Sequence, residues 1–355
     1  MNAPAQTRPT QARTGVRFPW AEPPEPGQAI EIAEGVLWAR MPLPMRLDHV
    51  NVYLLDDGTG WTVVDTGFRG NDARQAWETL IDGPLAGKPV TRVVVTHHHP
   101  DHIGMAGWFM AREAELWTTR TAYVFARMLQ LDHNDTPPDE NIRHYVRAGA
   151  SPEQVERYRT QRPFNFSRAV HTLPLGFRRI AEGETITMAG RRWTVRMGHG
   201  HAPEHATFWS EDDALVLAGD QIIPGISSNL SVHATEPDAD PVGEWLASCE
   251  ALKAHAREDH LGLPGHKLPF TGLPTRLDQL IDNHHGALGR LRKYLREHGP
   301  RTAAECFLPV FGREIEPAVF GLALFESVGH LNHLLHIGEA ERSLDAAGAW
   351  RFRLL

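Results

Sequence analysis

The segment Thr96-His97-His98-His99-Pro100-Asp101-His102 is the most informative part of this sequence. Its pattern, His-x-His-x-Asp-His, follows the β-branched run 93–95, which is typical of a buried strand, and precedes a helix start at 103–107. Because alternate residues of a strand share a face, His97 and His99 should point into one cleft. Imidazoles suit zinc and iron, and a carboxylate beside them suits a hard divalent ion, so the segment predicts a metal site.

Three later segments also carry residues that can bind a metal, each next to glycine. They are 197–205, with His199, His201 and His205, then 217–220, ending in Asp220, and 263–266, ending in His266. Small and turn residues let the backbone bend sharply and aim a side chain toward a cleft. We therefore expect these side chains to meet those of 97–102.

The composition is that of an ordinary globular protein with a full core. The chain has 355 residues, 41% hydrophobic and 23% charged, which favours one large domain plus a small one. A net charge of −8 argues against a non-specific nucleic-acid partner. Cys249 and Cys306 lie far apart, so no disulfide framework is expected and a reducing compartment is favoured. Residues 1–20 lack the apolar core of a secretory signal, and no apolar run approaches the roughly 18 residues of a membrane span. We expect a cytoplasmic protein without membrane contact.

Two hairpins of similar design predict two related halves. Residues 50–55 and 61–65 flank an acidic turn, and the second strand ends in Asp65. Residues 206–210 and 214–220 repeat the pattern around another acidic turn and end in Asp220. Further strands are predicted at 30–41, 91–96, 184–188, 191–197 and 260–264, with helices at 72–80 and 241–256.

The predicted domain organisation has three parts. Residues 1–28 form a disordered or surface-draped arm, residues 29–272 a catalytic domain and residues 273–355 a C-terminal domain. A helical block at about 119–168 interrupts the β-rich sequence as an insertion, with the capping residues Ser151 and Gln154 at one helix start. The tail predicts a long helix at 275–298, a helix at 316–336 and a hairpin from 338 to 355, an arrangement resembling a winged helix.

The motifs together resemble those of metallo-β-lactamase-fold hydrolases. The resemblance covers about residues 30–272, and the tail resembles the winged-helix domain of a LACTB-like branch of that family. It implies an α/β, four-layer αββα fold with a helical insertion and a C-terminal winged-helix-like domain. The segments that carry it, besides 97–102, are Val64-Asp65-Thr66-Gly67, Gly200-His201-Ala202-Pro203-Glu204-His205, Ala218-Gly219-Asp220 and Pro264-Gly265-His266.

The resemblance also implies a ligand set for two divalent metal ions. The first ion would be bound by His97, His99 and His201, the second by Asp101, His102 and His266, with Asp220 bridging them. Zinc is the default metal, and manganese or iron fit nearly as well. Asp65 should accept a hydrogen bond that orients a ligand histidine, and Asp101 should also act in catalysis by moving a proton. His199 remains an alternative to His201.

The predicted function is hydrolysis by a metal-bridging hydroxide, with a small ester, thioester or lactone as substrate. Asp220 and His266 are only 46 positions apart, too close for the inserted domain of nucleic-acid-processing relatives. Residues 275–355 contain 10 basic and 10 acidic residues, so the tail should pack against the catalytic domain or form a homodimer rather than bind nucleic acid. Alternatives are a phosphodiesterase or endoribonuclease with the same two-metal site, and a mono-iron dioxygenase.

The remaining histidines receive structural interpretations. His98 should point away from the cleft by strand alternation, and His205 should bond a loop carbonyl. His284 and His285 are expected at surface or packing positions. Histidines 330, 333 and 336 are expected to be ordinary polar positions near a helix end.

Overall fold

A computed structural model describes residues 15–45 and 47–355. The first sheet contains seven strands in chain order: β1 (Ala29–Ala33), β2 (Val36–Pro42), β3 (His49–Asp56), β4 (Trp61–Val64), β5 (Val90–Val94), β6 (Glu115–Thr118) and β7 (Arg178–Arg179). The second sheet contains five strands: β8 (Thr185–Met188), β9 (Arg191–Gly198), β10 (His205–Ser210), β11 (Leu215–Gly219) and β12 (Leu261–Pro264), in reverse chain order.

The two sheets share a construction that confirms the prediction of two similar halves. Strands β3 and β4 form an antiparallel hairpin, and β5 then adds parallel to β4. Strands β10 and β11 form the second hairpin, and β12 adds parallel to β11. In both sheets an aspartate follows the second hairpin strand, Asp65 after β4 and Asp220 after β11.

The sheets pack face to face between layers of helices, so the four-layer αββα architecture is confirmed. Alternation along β3 sends Val52 and Leu54 to the outer face and Tyr53 and Leu55 to the interface between the sheets. The helices α1 (Asn71–Asp82), α2 (Pro100–Ile103) and α3 (Ala106–Met110) follow strands of the first sheet, and α8 (Pro241–Lys253) lies on the second. Cores on the outer faces include Trp77 with Val63 on one side and Trp245 with Val216 on the other.

The predicted helical insertion lies between β6 and β7. It consists of α4 (Arg120–Leu131), α5 (Asp139–Arg147), α6 (Pro152–Thr160) and α7 (Phe166–Ala169). The capping box predicted at Ser151 is present: its side chain accepts from the Gln154 backbone N–H, and the Gln154 side chain accepts from the Ser151 N–H.

The C-terminal region contains three α-helices, two short 3-10 helices (Ala304–Cys306 and Pro317–Val319) and a two-stranded sheet. The α-helices and strands are α9 (Leu273–His298), α10 (Phe307–Phe311), α11 (Phe320–His336), β13 (Ala340–Leu344) and β14 (Trp350–Leu354). Leu277 of α9 and Leu324 of α11 belong to the same buried core as Trp245 of α8, so this region packs directly on the catalytic sheets. The winged-helix assignment and the exact domain boundaries stay predictions.

Part of the predicted N-terminal arm is described. Arg17 exchanges backbone hydrogen bonds with Thr271, and Val16 is buried in the C-terminal core. Residues 1–14 of the arm lie outside the described residues. Both cysteines are buried and unpaired.

One helical stretch corrects the expectation that no segment is apolar enough to span a membrane. Pro317–His336 is long and apolar enough by length and composition alone. Half of the stretch is buried in the protein, where Leu324, Val328 and Leu331 join a core, so it packs as a core helix does. Cytoplasmic location, the absence of a membrane partner and a homodimer remain predictions.

Candidate metal centre

The residues singled out in the sequence meet at the carboxyl ends of strands from both sheets. His97 and His99 follow β5, Asp220 follows β11 and His266 follows β12, while His201 lies in the turn between β9 and β10. The two sheets are joined at this edge by backbone hydrogen bonds, Ala206 N–H to the Thr96 carbonyl at 2.8 Å and Asn51 N–H to the Gly265 carbonyl at 2.6 Å. Carboxyl ends of parallel strands are a common place for sites in α/β sheets.

The first group consists of His97, His99 and His201. Each offers one ring nitrogen, and the three nitrogens lie within 4.8 Å of one another. The His97 Nε2 and His99 Nδ1 atoms are 2.9 Å apart. The three rings therefore converge on a single point, as the ligands of one ion do.

The second group consists of Asp101, His102, Asp220 and His266, whose ligand atoms also lie within 4.8 Å of one another. Asp220 Oδ2 is 3.4 Å from Nε2 of His102 and 3.3 Å from Nε2 of His266. The same oxygen is 3.5 Å from Nε2 of His201, a member of the first group. Asp220 therefore lies between the two groups.

The donor atoms of these groups fit divalent cations. In the described part of the chain, His102 Nε2, His201 Nε2 and Asp220 Oδ1 are buried atoms without a hydrogen-bond partner. A buried polar atom without a partner costs about 1–3 kcal/mol, so such atoms are rare and call for a reason. Imidazole nitrogens and carboxylate oxygens that converge in this way suit a metal ion better than any protein hydrogen bond.

Hydrogen bonds behind two of the candidate ligands orient their rings. The His266 Nδ1–H donates to the His49 carbonyl at 2.7 Å, and the His201 Nδ1–H donates to the Asn229 carbonyl at 2.9 Å. Because a carbonyl can only accept, each of these rings presents an unprotonated Nε2 toward the groups in its neutral form. Partners of this kind hold metal-binding histidines in one orientation.

Asp65 performs the orienting role expected from the sequence. Its Oδ2 lies 2.8 Å from the Nδ1 of His102, and its Oδ1 accepts the Thr96 backbone N–H at 2.9 Å. The residue has a φ of +60°, an uncommon value for a side chain other than glycine. The turn after β4 thus aims the carboxylate beneath His102.

Electrostatics divide the histidines into two classes. Burial and the neighbouring imidazoles lower the pKa of His97 and His99 well below the usual value, which keeps these rings neutral. Burial also lowers the pKa of His266, but the Asp220 and Asp101 carboxylates outweigh it and raise that pKa to about 10. The same carboxylates raise the pKa of His102 despite its burial. A divalent ion bound by the second group would take the place of the protons that these carboxylates favour on its histidines.

The structure distinguishes His201 from His199. His201 belongs to the first group, whereas His199 Nδ1 accepts the Glu204 backbone N–H at 3.3 Å. His199 also lines a separate cavity of about 320 Å³ beside Arg179 and Glu182.

The expectation for His205 was wrong. Its Nε2 accepts the Asp220 backbone N–H at 3.0 Å instead of bonding a loop carbonyl, and its ring stacks on His97. It therefore supports a residue of each group. His98 points away from the groups as expected and packs against Phe125 of α4.

Two supporting residues had no signal in the sequence. His49 and Asn229 act through backbone carbonyls, which every residue has, so no residue type could indicate them. Only the packing of distant loops against the ligand histidines shows their role.

The histidines of the C-terminal helices occupy packing and surface positions, as expected: His284 is buried and His285 is exposed. His284 and His330 are buried and bonded to each other, while His333 pairs with Asp240 at 3.0 Å. They make separate contacts rather than a metal triad.

The aromatic residues of the insertion mostly pack within it: Tyr123 stacks on Phe177, Tyr145 on Tyr158, and Phe166 is buried, but Phe164 is 69% exposed.

Comparisons with known proteins agree with this geometry. Residues 45–258 match the family described as the metallo-beta-lactamase superfamily, and residues 290–355 match a domain described as metallo-beta-lactamase-like, C-terminal domain. The chain is 26% identical to the probable metallo-hydrolase YqjP of Bacillus subtilis, over 88% of this chain and 94% of that protein. It is 23% identical to the atrochrysone carboxyl ACP thioesterase of Aspergillus fumigatus, over 65% of this chain and 41% of that protein.

Solved structures give the same result over nearly the whole chain. A beta-lactamase domain protein from Burkholderia ambifaria superposes with a TM-score of 0.86 at 35% identity, covering 96% of this chain and 97% of the other. A metallo-beta-lactamase family protein from Thermus thermophilus superposes with a TM-score of 0.76 at 26% identity, covering 92% of this chain and 100% of the other. With its paired His/Asp groups at the edge of the two sheets, the chain belongs to the metallo-beta-lactamase superfamily and is a metallo-hydrolase.

Proposed function

We propose that this protein is a dinuclear metal-dependent hydrolase that acts on small esters, thioesters or lactones. His97, His99 and His201 would hold one divalent ion, and Asp101, His102 and His266 the other, with Asp220 shared between them. The observation that carries the proposal is the position of Asp220 Oδ2, within 3.5 Å of ring nitrogens from both groups. Zinc is the metal we expect from this mixture of imidazoles and carboxylates.

When bound, the ions would lower the pKa of a water toward 7 and polarise the substrate oxygen. Residues of the chain itself orient the proposed ligands and accept or donate protons. Asp101 Oδ2 lies 3.3 Å from His266 Nε2 and its side chain is 18% exposed, so it can accept a proton from water at the edge of the site. Asp65 holds His102 in place, and His205 holds the Asp220 backbone in place.

The surroundings of the centre support a substrate with an apolar acyl part. Val124, Met128 and Leu131 lie on one face of α4 and are 54%, 42% and 73% exposed. Phe125 of the same helix packs against His98, whose neighbours in the chain are the proposed ligands His97 and His99, and this supports a position of α4 near the centre. The likeness to a protein named as a thioesterase adds support for a thioester.

A substrate panel with measured metal content tests the proposal. Acyl thioesters, esters, lactones, a phosphodiester and RNA are incubated with metal-free protein, with zinc-, manganese- and iron-loaded protein, and with the Asp220→Asn variant. We expect hydrolysis of an acyl substrate that requires two ions per chain and is lost in the variant. Turnover of RNA or the phosphodiester alone would overturn the proposal in favour of a phosphodiesterase or endoribonuclease. One iron per chain with oxygen consumption would overturn it in favour of a mono-iron dioxygenase.

The apolar face of α4 has its own test within the panel. Met128→Glu should raise KM for a long-chain acyl substrate and leave KM for the acetyl homologue unchanged, because on this proposal only the long chain would contact the face. The matched control is Leu175→Glu, which changes an exposed apolar residue of the loop before β7. Equal effects on both substrates would remove α4 from the binding site.

A further inference from the structure

The loop 221–232, between β11 and α8, connects the metal centre to the C-terminal helices. On one side, the Asn229 carbonyl accepts the His201 Nδ1–H at 2.9 Å and Ser228 Oγ donates to the Asp220 carbonyl at 2.5 Å. On the other side, the buried Arg276 of α9 donates to the carbonyls of Ile223 and Ile226. The loop therefore contacts members of both metal-binding groups and is itself held by the C-terminal region.

Asn229 links the two sides within one residue. Its backbone carbonyl fixes the ring of His201, whose Nε2 is buried without a hydrogen-bond partner. Its side-chain Nδ2 donates to Glu326 Oε2 on α11 at 2.7 Å and lies 3.4 Å from the Leu322 carbonyl. A displacement of the Asn229 side chain would therefore move the carbonyl that orients His201.

Glu326 is held in place by a second set of contacts. Its backbone carbonyl accepts the His330 Nδ1–H at 2.9 Å, so His330 Nε2 is the acceptor in the 3.2 Å contact with His284 Nδ1–H. His284 Nε2 then accepts the hydroxyl of Ser227, at 3.0 Å, in the same loop. The Glu326 carbonyl sets the direction of every hydrogen bond in this series, because a carbonyl can only accept.

These contacts form a closed circuit. The loop reaches α11 through Asn229 and Glu326, and it returns through Ser227, His284 and His330 to the same turn of α11. Every link is at least partly buried, so water competes poorly with it. Such a circuit fixes the position of Asn229 relative to His201.

We propose that Glu326 is a positioning residue for the metal centre: it clamps Asn229 so that the Asn229 carbonyl holds His201 with Nε2 facing the first ion. The proposal rests on the proposed function, since it assumes a metal at His97, His99 and His201. It assigns the C-terminal domain a part in metal binding through the 221–232 loop, although the domain contributes none of the proposed ligands.

The test compares four variants in a metal-binding measurement that does not depend on turnover. Metal-free Glu326→Ala, Glu326→Gln and Asn229→Ala proteins are titrated with zinc against a competing chelator, and both dissociation constants are fitted. The control is Glu341→Gln, which removes a charge on β13 that pairs with Arg353. Thermal unfolding of each metal-free protein shows whether it is folded.

Glu326→Ala and Asn229→Ala should weaken the site that contains His201 by about 10-fold, the lower end of the usual effect of partners behind metal ligands. The second site should change less, because His102 and His266 are oriented by Asp65 and His49. Glu326→Gln should stay within about twofold of the wild type, since its amide oxygen still accepts from Asn229.

A nitrogen-15 spectrum of histidine-labelled metal-free protein gives an independent readout. The wild type should show a single His201 tautomer with the proton on Nδ1, and the two alanine variants should show a mixture. Folded variants with wild-type zinc affinity and an unchanged tautomer would overturn the proposal. Wild-type protein that binds none of zinc, manganese and iron would instead overturn the proposed function, so the two failures are distinguishable.

Discussion

At the residue scale, Asp220 has the environment that most constrains the chemistry of the site. It faces His102, His201 and His266 through one oxygen, and these histidines hold its pKa well below the usual range although burial acts to raise it. The other oxygen, Oδ1, is buried without a hydrogen-bond partner in the described part of the chain. A carboxylate in this position would join the two proposed cation sites, because it supplies negative charge where two cations would otherwise repel.

Asp220→Asn should remove metal from both sites. The amide keeps the volume of the side chain but loses its charge, and its NH2 group cannot bind a cation. We expect less than one ion per chain by elemental analysis after dialysis, against two in the wild type. Asp212→Asn, a surface change near Arg192, should retain both ions. Full metal content in Asp220→Asn would contradict the bridging position.

The sequence predicted the residues that carry unusual side chains and missed those that act through the backbone. His97 and Asp101 could be recognised from the His-x-His-x-Asp-His pattern after a predicted strand, and Asp220 from its place after a glycine at a strand end. Asn229 supports His201 through a carbonyl, and His205 accepts an N–H, so their roles depend on the distance between loops. A sequence pattern contains no information of that kind.

At the element scale, the turns after the strands determine how closely the two groups approach. The turn after β12 contains Gly265, where a Cβ would overlap with Asp220 Oδ1 and lie 2.8 Å from His102 Cε1. Strand lengths and the αββα order could be predicted from period-2 patterns and hairpin signals. The contact between turns of different sheets could not, because it arises only when the sheets pack.

Gly265→Ala should therefore impair the second group without unfolding the protein. The added methyl group must displace Asp220 or His102, and we expect at least about 10-fold weaker zinc binding in chelator competition. Gly289→Ala on α9 is the matched control, because its Cβ would meet nothing within 4 Å and alanine favours helices by about 1 kcal/mol. Unchanged zinc affinity in Gly265→Ala would show that the turn can move freely.

The packing of α9 against α11 predicts sensitivity to acid. Burial and neighbouring His330 lower the pKa of His284 to about 3, and burial lowers that of His330 to about 4. In the unfolded chain both would have a pKa of about 6.5, so unfolding takes up protons as the pH falls below that value. Their contribution to stability is fully present above pH 6.5 and is lost progressively toward pH 4 and 3.

Urea unfolding between pH 7.5 and 5 measures this effect. Each proton taken up on unfolding lowers the free energy of unfolding by about 1.4 kcal/mol per pH unit. His284→Asn should reduce the slope of the unfolding free energy against pH by up to about 1.4 kcal/mol per pH unit, the effect of one proton. The exposed His285→Asn should leave this slope nearly unchanged. Equal slopes in the wild type and His284→Asn would mean that His284 is protonated in the folded state.

At the scale of the whole molecule, the catalytic sheets and the C-terminal helices share one core. Trp209 and Val216 of the second sheet, Trp245 of α8, Leu277 of α9 and Leu324 of α11 are all buried in it. The sequence predicted each of these elements and the change of character near residue 272. It could not predict that they form a common core, because the helical pattern shows which face is apolar but not what covers it.

A chain truncated after Thr271 should fail to fold on its own. Removal of α9 and α11 would expose the apolar surface of α8 and the second sheet, and burial of such surface contributes about 25 cal/mol per Å². It would also remove Arg276 and Glu326, which hold the 221–232 loop beside the metal centre. We expect aggregation in size-exclusion chromatography, binding of a hydrophobic dye, and no defined zinc stoichiometry, with the full chain as control. A monomeric truncated protein that binds two zinc ions would show instead that the C-terminal region is a separate unit, and the inference on Glu326 would then fail with it.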